Sequence, residues 1–246
     1  KVSRKLWGMG SSKGMGHSQP VSDAHPGMRL DLIEGVTSME QFSRLLDRGF
    51  GVQAPGRFFD DFPIWDERLG PGAETMIRIG VWDGAEMISC AGARLAKLKV
   101  PAGELDIALI GGVVTAPTHR GKGLASRTVS LAVEWARERD AALAILWGAE
   151  HELYARLGFE LCGEQRRMKV NELDLGPPIR DFSRVTLGRG WNPTLMDFLK
   201  KRDGGLKIQS SDERWIEAHK NVDWYWLGDA ESPSAYAAIG RGIEIG

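Results

Sequence analysis

The sequence predicts an α/β (α+β) fold, a mostly antiparallel sheet flanked by helices, and three observations carry that prediction. Between residues 75 and 115 apolar side chains recur with a period of two, the mark of half-buried strands. Over residues 123–139 the period lengthens to that of a helix. A short turn of glycines and basic residues joins the two patterns.

Residues 1–27 are rich in Gly, Ser and His without periodicity and read as a flexible arm. Order begins at Met28, with a short strand through Leu30 and Leu32. A helix follows in which Ser38 is the cap, Gln41 reaches back in a capping box, and Phe42, Leu45 and Leu46 form the apolar stripe. Gly49 and Gly51 stop it. The aromatic and acidic stretch 58–69 reads as a second short helix interrupted at Pro63. Three antiparallel strands come next, over 75–82, 86–99 and 105–115, with Asp83-Gly84 as a hairpin turn.

In the helix over 123–139, Leu124, Thr128, Leu131 and Trp135 recur at helical spacing beside Ala125, Ala132 and Ala136. A buried-type strand over 142–147, a short helix over 150–157 and strands over 159–163 and 166–170 complete a first unit, residues 28–175. Gly176-Pro177-Pro178 reads as a linker to a second, partial unit, residues 176–246. There Asn192 caps a helix with Pro193 at its first position, another helix runs over 211–220, and a hairpin spans 223–239.

Composition is that of an ordinary globular protein, with 42% hydrophobic residues, 26% charged and a formal net charge of -1. No basic surplus points to nucleic acid, and no apolar stretch is long enough for a bilayer. Two cysteines, Cys90 and Cys162, are too few for a disulfide scaffold and lack metal-ligand spacing. These features predict a cytoplasmic protein without membrane or nucleic-acid partners; the oligomeric state stays open, a homodimer among the options.

The residues that carry chemistry sit at the glycine turn. Helix starts favour acidic side chains, because unpaired N–H groups and the helix dipole make that end positive. Here Arg120, Lys122 and Arg127 crowd the start instead, and Gly121 and Gly123 let the backbone approach a ligand. Such a conflict fits a phosphate-sized nest for a pyrophosphate; a tight strand-to-helix turn with solvated basic residues is the plainer alternative. Gly111-Gly112 within the preceding apolar run suggests a bulge or close backbone approach, leaving strand amides near residues 113–115 free for a ligand.

These residues resemble the GNAT acetyltransferase superfamily. Its first motif appears as Arg120-Gly121-Lys122-Gly123-Leu124-Ala125 after Val114-Thr115-Ala116-Pro117, and its second as Tyr154-Ala155-Arg156-Leu157-Gly158-Phe159. The resemblance covers about residues 28–170. It implies a mixed, mostly antiparallel sheet whose fourth and fifth strands splay apart around acetyl-CoA. Pyrophosphate would rest on the amides of Arg120, Gly121, Lys122, Gly123, Leu124, Ala125 and Ser126, and pantetheine beside Val113, Val114 and Thr115. Many relatives carry Asn at the end of the fifth strand, where this chain has Trp147-Gly148.

By the same resemblance an amine, of a small molecule or a peptide, attacks the thioester directly, and Tyr154 protonates the leaving thiolate. A lysine-like amine must first lose a proton, at a cost of about 4 to 5 kcal/mol at neutral pH. Glu150 and Glu152 are candidate acceptors of that proton, Glu152 standing beside Tyr154 as a catalytic residue; a water chain ending at Glu104 or Asp106 is the alternative. The segment Phe58-Phe59-Asp60-Asp61-Phe62 through Trp65-Asp66 could form an aromatic, acidic acceptor mouth. His151 and Glu152 lack the second His of a zinc-protease helix, so no metal is expected. Residues 180–246 hold no second phosphate turn; Trp224-Tyr225-Trp226-Leu227 and Ala235-Tyr236-Ala237-Ala238-Ile239 resemble early strands of a degenerate repeat, as in tandem-GNAT proteins of the Eis type. The competing functional reading is a non-catalytic acyl-CoA-binding or regulatory module.

Overall fold

A computed structural model describes residues 19–20, 27–163 and 186–240. Most of the arm expected over 1–27, the strand over 166–170 and the linker at 176–178 lie outside the described residues. The main sheet runs in the order β1 (Gln19–Pro20), β2 (Met28–Leu32), β3 (Met76–Asp83), β4 (Glu86–Val100), β5 (Gly103–Thr115), β6 (Leu143–Leu146). Neighbours are antiparallel until β6, which lies parallel to β5. The sheet is therefore mixed, as a strand–helix–strand crossover between β5 and β6 requires.

One face is covered by α1 (Val36–Gly49), whose Met39, Phe42, Leu45 and Leu46 pack with Met87, Cys90 and Val114. The other is covered by α3 (Leu124–Arg137), whose Val129, Ala132, Trp135 and Ala136 meet Ile79, Ala91, Ala93 and Ile110. Cys90 and Ala91, adjacent in β4, face opposite layers, as strand alternation dictates. Each fully buried Phe or Leu on α1 contributes roughly 1.5–3 kcal/mol. Along the chain between α1 and β3 come the short α2 (Phe58–Asp61) and a 3₁₀ turn, Pro63–Trp65, the break at Pro63 falling where its missing N–H predicts.

Three expectations need correction. The first helix is not capped by Ser38: it begins at Val36, with Gly35 at the cap in the left-handed region at φ 77. Gln41 instead stitches the helix to the β3–β4 hairpin, its side-chain amide donating to the Ala85 carbonyl at 2.9 Å and accepting from the Met87 N–H at 2.7 Å. The strand at 143–146 is not a buried one, because among the described residues β5 is its only strand neighbour and Leu143 is left exposed. Residues 159–163 form no strand after α4 (His151–Arg156).

Residues 186–240 form a second sheet in the order β10 (Pro233–Gly240), β9 (Val222–Gly228), β7 (Leu187–Arg189), packed around Leu195, Met196, Ile216 and Trp224. Its α5 is Leu195–Lys200 with Thr194 at the cap; Asn192, the cap expected from the sequence, lies two residues ahead of that position, where its side chain accepts from the Thr194 N–H at 3.0 Å. Two of its elements reach across to the main sheet. The strand β8 (Gly205–Leu206) pairs with β4 at Leu98 and Lys99, and α6 (Glu213–Glu217) lies near the 3₁₀ turn that carries Trp65.

Candidate active site

The site is built where β5 and β6 part company. Their parallel pairing stops at Ile110–Leu146, so from Gly111 to Thr115 no described strand lines that edge of β5. On its other edge β5 stays paired with β4 through a bulge: Cys90 faces Val114, but the next aligned pair is Gly92–Gly111, leaving an extra residue in β5. Gly112 absorbs the bulge at φ 61, a conformation that favours glycine. Gly111 serves the close approach that sequence alone had left as an alternative. The Trp65 indole lies over Gly92 and Gly111, and a Cβ on Gly111 would meet Trp65 Cζ2 at 2.6 Å.

Beyond the bulge the backbone direction follows from its partners. Ala116 N–H donates to the Ile88 carbonyl at 2.7 Å and Val114 pairs with Cys90, so these residues address β4. Alternation then turns the N–H and C=O of Val113 and Thr115 toward the opening. Two buried side chains hold that geometry. Ser89 Oγ donates to the Val114 carbonyl at 3.1 Å and lies 2.8 Å from Thr115 Oγ1, while the Cys90 thiol donates to the Gly112 carbonyl at 3.2 Å.

After β5 a 3₁₀ turn, Pro117–His119, leads to Gly121 at φ 77 and Gly123 at φ 72, and α3 starts at Leu124 without a side-chain cap or an acid in its first turn. A Cβ added at either glycine would meet nothing within 4 Å, so the turn faces open space. Arg120, Lys122 and Arg127 are exposed around it, and Leu124 is buried as its anchor; Ala125 and Ser126 are half-buried. The uncapped N–H groups of the first helical turn are thus available to an anion, with three cations beside them.

Tyr154, on α4, is 9% exposed and packs in one apolar cluster with Val113 and Phe159. Its ring meets Phe159 edge-on at 6.0 Å between centroids. Burial first, and the nearby Glu150 carboxylate second, push its phenol above the ordinary range, so it holds its proton at neutral pH. Tyr154 also crosses the end of β6: a Cβ on Gly148 would stand 2.7 Å from its Cε2 and 3.1 Å from its hydroxyl. The glycine turn and this hydroxyl therefore sit beyond the C-terminal ends of the two parallel strands.

The carboxylates sort differently from the sequence expectation. Glu152 is exposed on α4 and two residues from Tyr154, a spacing that puts the two on different sides of a helix. Glu150, four residues before, is the one whose charge reaches Tyr154. Glu104 and Asp106 are far away toward the opposite end of β5, about 30 and 23 Å of strand from Val113, and are paired with Lys207 at 2.9 Å and Lys97 at 2.6 Å. The proposed acidic mouth is also engaged: Asp60 pairs with Lys220 at 2.6 Å, Asp61 accepts from Asn221 at 2.9 Å, and buried Asp66 binds Arg68 at 2.5 Å. All three carboxylates are thus already paired within the protein, two of them with the cations Lys220 and Arg68. Sequence reading missed the role of Trp65; the only hint was two glycines, Gly92 and Gly111, in adjacent strands.

Comparison with known proteins agrees with this geometry. Residues 36–162 match the family model described as the acetyltransferase (GNAT) domain. An uncharacterized N-acetyltransferase of Streptomyces griseus is 33% identical over 156 residues, which cover 58% of this chain and 37% of that protein. Another from Streptomyces avermitilis is 29% identical over 123 residues, covering 46% and 29%. The chain thus spans well under half the length of these curated relatives. Among solved structures, a probable N-acyltransferase from Enterococcus faecalis superposes with a TM-score of 0.59 at 15% identity, covering 86% of this chain and 54% of that one. A GCN5-related N-acetyltransferase from Kribbella flavida gives a TM-score of 0.56 at 20% identity, covering 89% and 55%. At these identities the two structures speak to the fold, which they share beyond residue 162.

Proposed function

Because this chain belongs to the GNAT acetyltransferase family, we propose that it moves an acetyl group from acetyl-CoA to a primary amine by direct attack within a ternary complex. The observation that carries the reading is the parting of β6 from β5 after Ile110, beside an uncapped, cation-flanked helix start. In this reading the amides from Arg120 to Ser126 hold the pyrophosphate, with the side chains of Arg120, Lys122 and Arg127 around it. The outward N–H and C=O groups of Val113 and Thr115 take the pantetheine amides as an added strand would.

Acetyl-CoA supplies the thioester; the protein supplies alignment and protons. A new C–N bond forms as the C–S bond breaks, the Tyr154 hydroxyl gives its proton to the departing sulfur, and the amine sheds its proton to solvent near Glu150. A strand amide at the opening polarises the thioester carbonyl. Among the described residues no helix is long and apolar enough to cross a membrane, and the cytoplasm is the location proposed.

The direct test is release of free thiol from acetyl-CoA in the presence of a panel of polyamines, aminoglycosides and peptides. Amine-dependent release with matching acetylated product supports the reading. Tight acetyl-CoA binding with no release for any amine would instead mark a binding module.

A further inference from the structure

Gly148 lies two residues past the end of β6, and its backbone is not one that demands glycine: it does not have a positive φ. The space above its Cα is taken by the Tyr154 ring. An added Cβ would lie 2.7 Å from Tyr154 Cε2, 3.2 Å from Cζ and 3.1 Å from the hydroxyl, with no backbone atom among these neighbours. Real Cβ atoms essentially never come as close as the 2.7 Å contact, and the other two are tight, so the Tyr154 ring occupies the volume that a side chain at 148 would need. The ring has little freedom to yield, being buried against Phe159 and within the cluster that includes Val113, Leu153 and Leu157.

We propose that Gly148 is a positioning residue for the reaction: its missing side chain lets the Tyr154 ring lie flat across the end of β6, which sets the hydroxyl at the mouth of the β5–β6 opening. The proposal rests on the reading of Tyr154 as proton donor. A side chain at 148 and a ring in this place exclude one another. A single methyl at 148 must then rotate or lift the ring and carry the hydroxyl off its station, while the glycine turn that holds phosphate stays untouched.

Four proteins make the test: wild type, Gly148→Ala, Tyr154→Phe and the double variant, each measured for acetyl-CoA affinity by calorimetry and for kcat with saturating amine. Gly148→Ala should lower kcat about 10-fold with affinity within about 2-fold of wild type, and should lower kcat no further in the Phe background, because there is no hydroxyl left to displace. Equal losses of kcat in both backgrounds, or a loss of affinity in place of kcat, would overturn the proposal. A Tyr154→Phe enzyme with wild-type kcat would instead sink the proton-donor reading itself, so the two failures are told apart. If Gly148→Ala folds poorly, melting temperatures decide: the methyl should depress melting with Tyr154 present and not in a Tyr154→Ala background. Equal depression in both would show that the contact is not with Tyr154.

Discussion

Arg94 and Asp212, 118 positions apart, meet in a nearly dry ion pair at 2.7 Å, with 12% and 5% of their side chains exposed. Trp215 completes the contact, its indole N–H donating to the same Asp212 oxygen at 3.0 Å while its ring lies 5.3 Å from the Arg94 guanidinium. The pair links β4 to the segment that also holds Asp60 and Asp61 through Lys220 and Asn221. Removing one partner leaves the other charge buried, which costs about 3–5 kcal/mol. Asp212→Ala should therefore lower the melting temperature by about 10 °C. Glu104→Gln, which breaks the half-exposed pair with Lys207, should shift stability by under about 1 kcal/mol. Similar small shifts for both variants, measured by thermal melting, would contradict this ranking.

The two cysteines should behave oppositely toward a thiol reagent. Cys90 is fully buried and bonded to the Gly112 carbonyl, and burial raises its thiol so far that no thiolate forms near neutrality, whereas Cys162 is exposed. The native protein should react at one thiol, Cys162→Ser should react at none, and unfolding should release Cys90. Two fast thiols in the native wild type would show that the bulge region opens.

Tyr154→Phe should keep acetyl-CoA affinity and melting temperature and lose roughly 10²-fold in kcat, the low end for a proton donor. A proton donor works protonated, and the Tyr154 phenol is raised by burial and by Glu150. In the wild type kcat should thus hold through mildly alkaline pH and fall only as pH climbs through that raised value, above about 10 for a free phenol. The Phe variant should lack this limb. A wild-type rate in the Phe variant, with chemistry rate-limiting, would reduce Tyr154 to packing.

How much of this was legible from residues can be followed element by element. The period of two over β3, β4 and β5 and the helical spacing of Leu124, Thr128 and Trp135 gave those elements to within a few residues, because in each one face is buried and the pattern is forced. The misplaced cap at Ser38 shows where local rules lose to tertiary ones: Gln41 is worth more bonded to the backbone of Ala85 and Met87 than reaching back along its own helix. The open, uncapped helix start flanked by Arg120, Lys122 and Arg127 was legible because basic residues there break a local preference. The seat of Trp65 on Gly92 and Gly111, and the ties of Asp60 and Asp61 to Lys220 and Asn221, were not. Such contacts join stretches far apart in the chain, and no local pattern encodes them.

The central claim is that the turn around Gly123 holds the phosphate end of acetyl-CoA, and calorimetric titration with CoA of wild type beside Gly123→Val tests it most directly. Gly123 lies in the left-handed region at φ 72, where a side chain strains the turn by about 1–2 kcal/mol, but a Cβ there points into open space, so the rest of the fold should survive. The expected result is saturable 1:1 binding to the wild type and none to a Gly123→Val protein whose circular dichroism is unchanged. Unaltered affinity in a folded Gly123→Val protein would contradict the account, because the anion would then have to be held somewhere other than this turn.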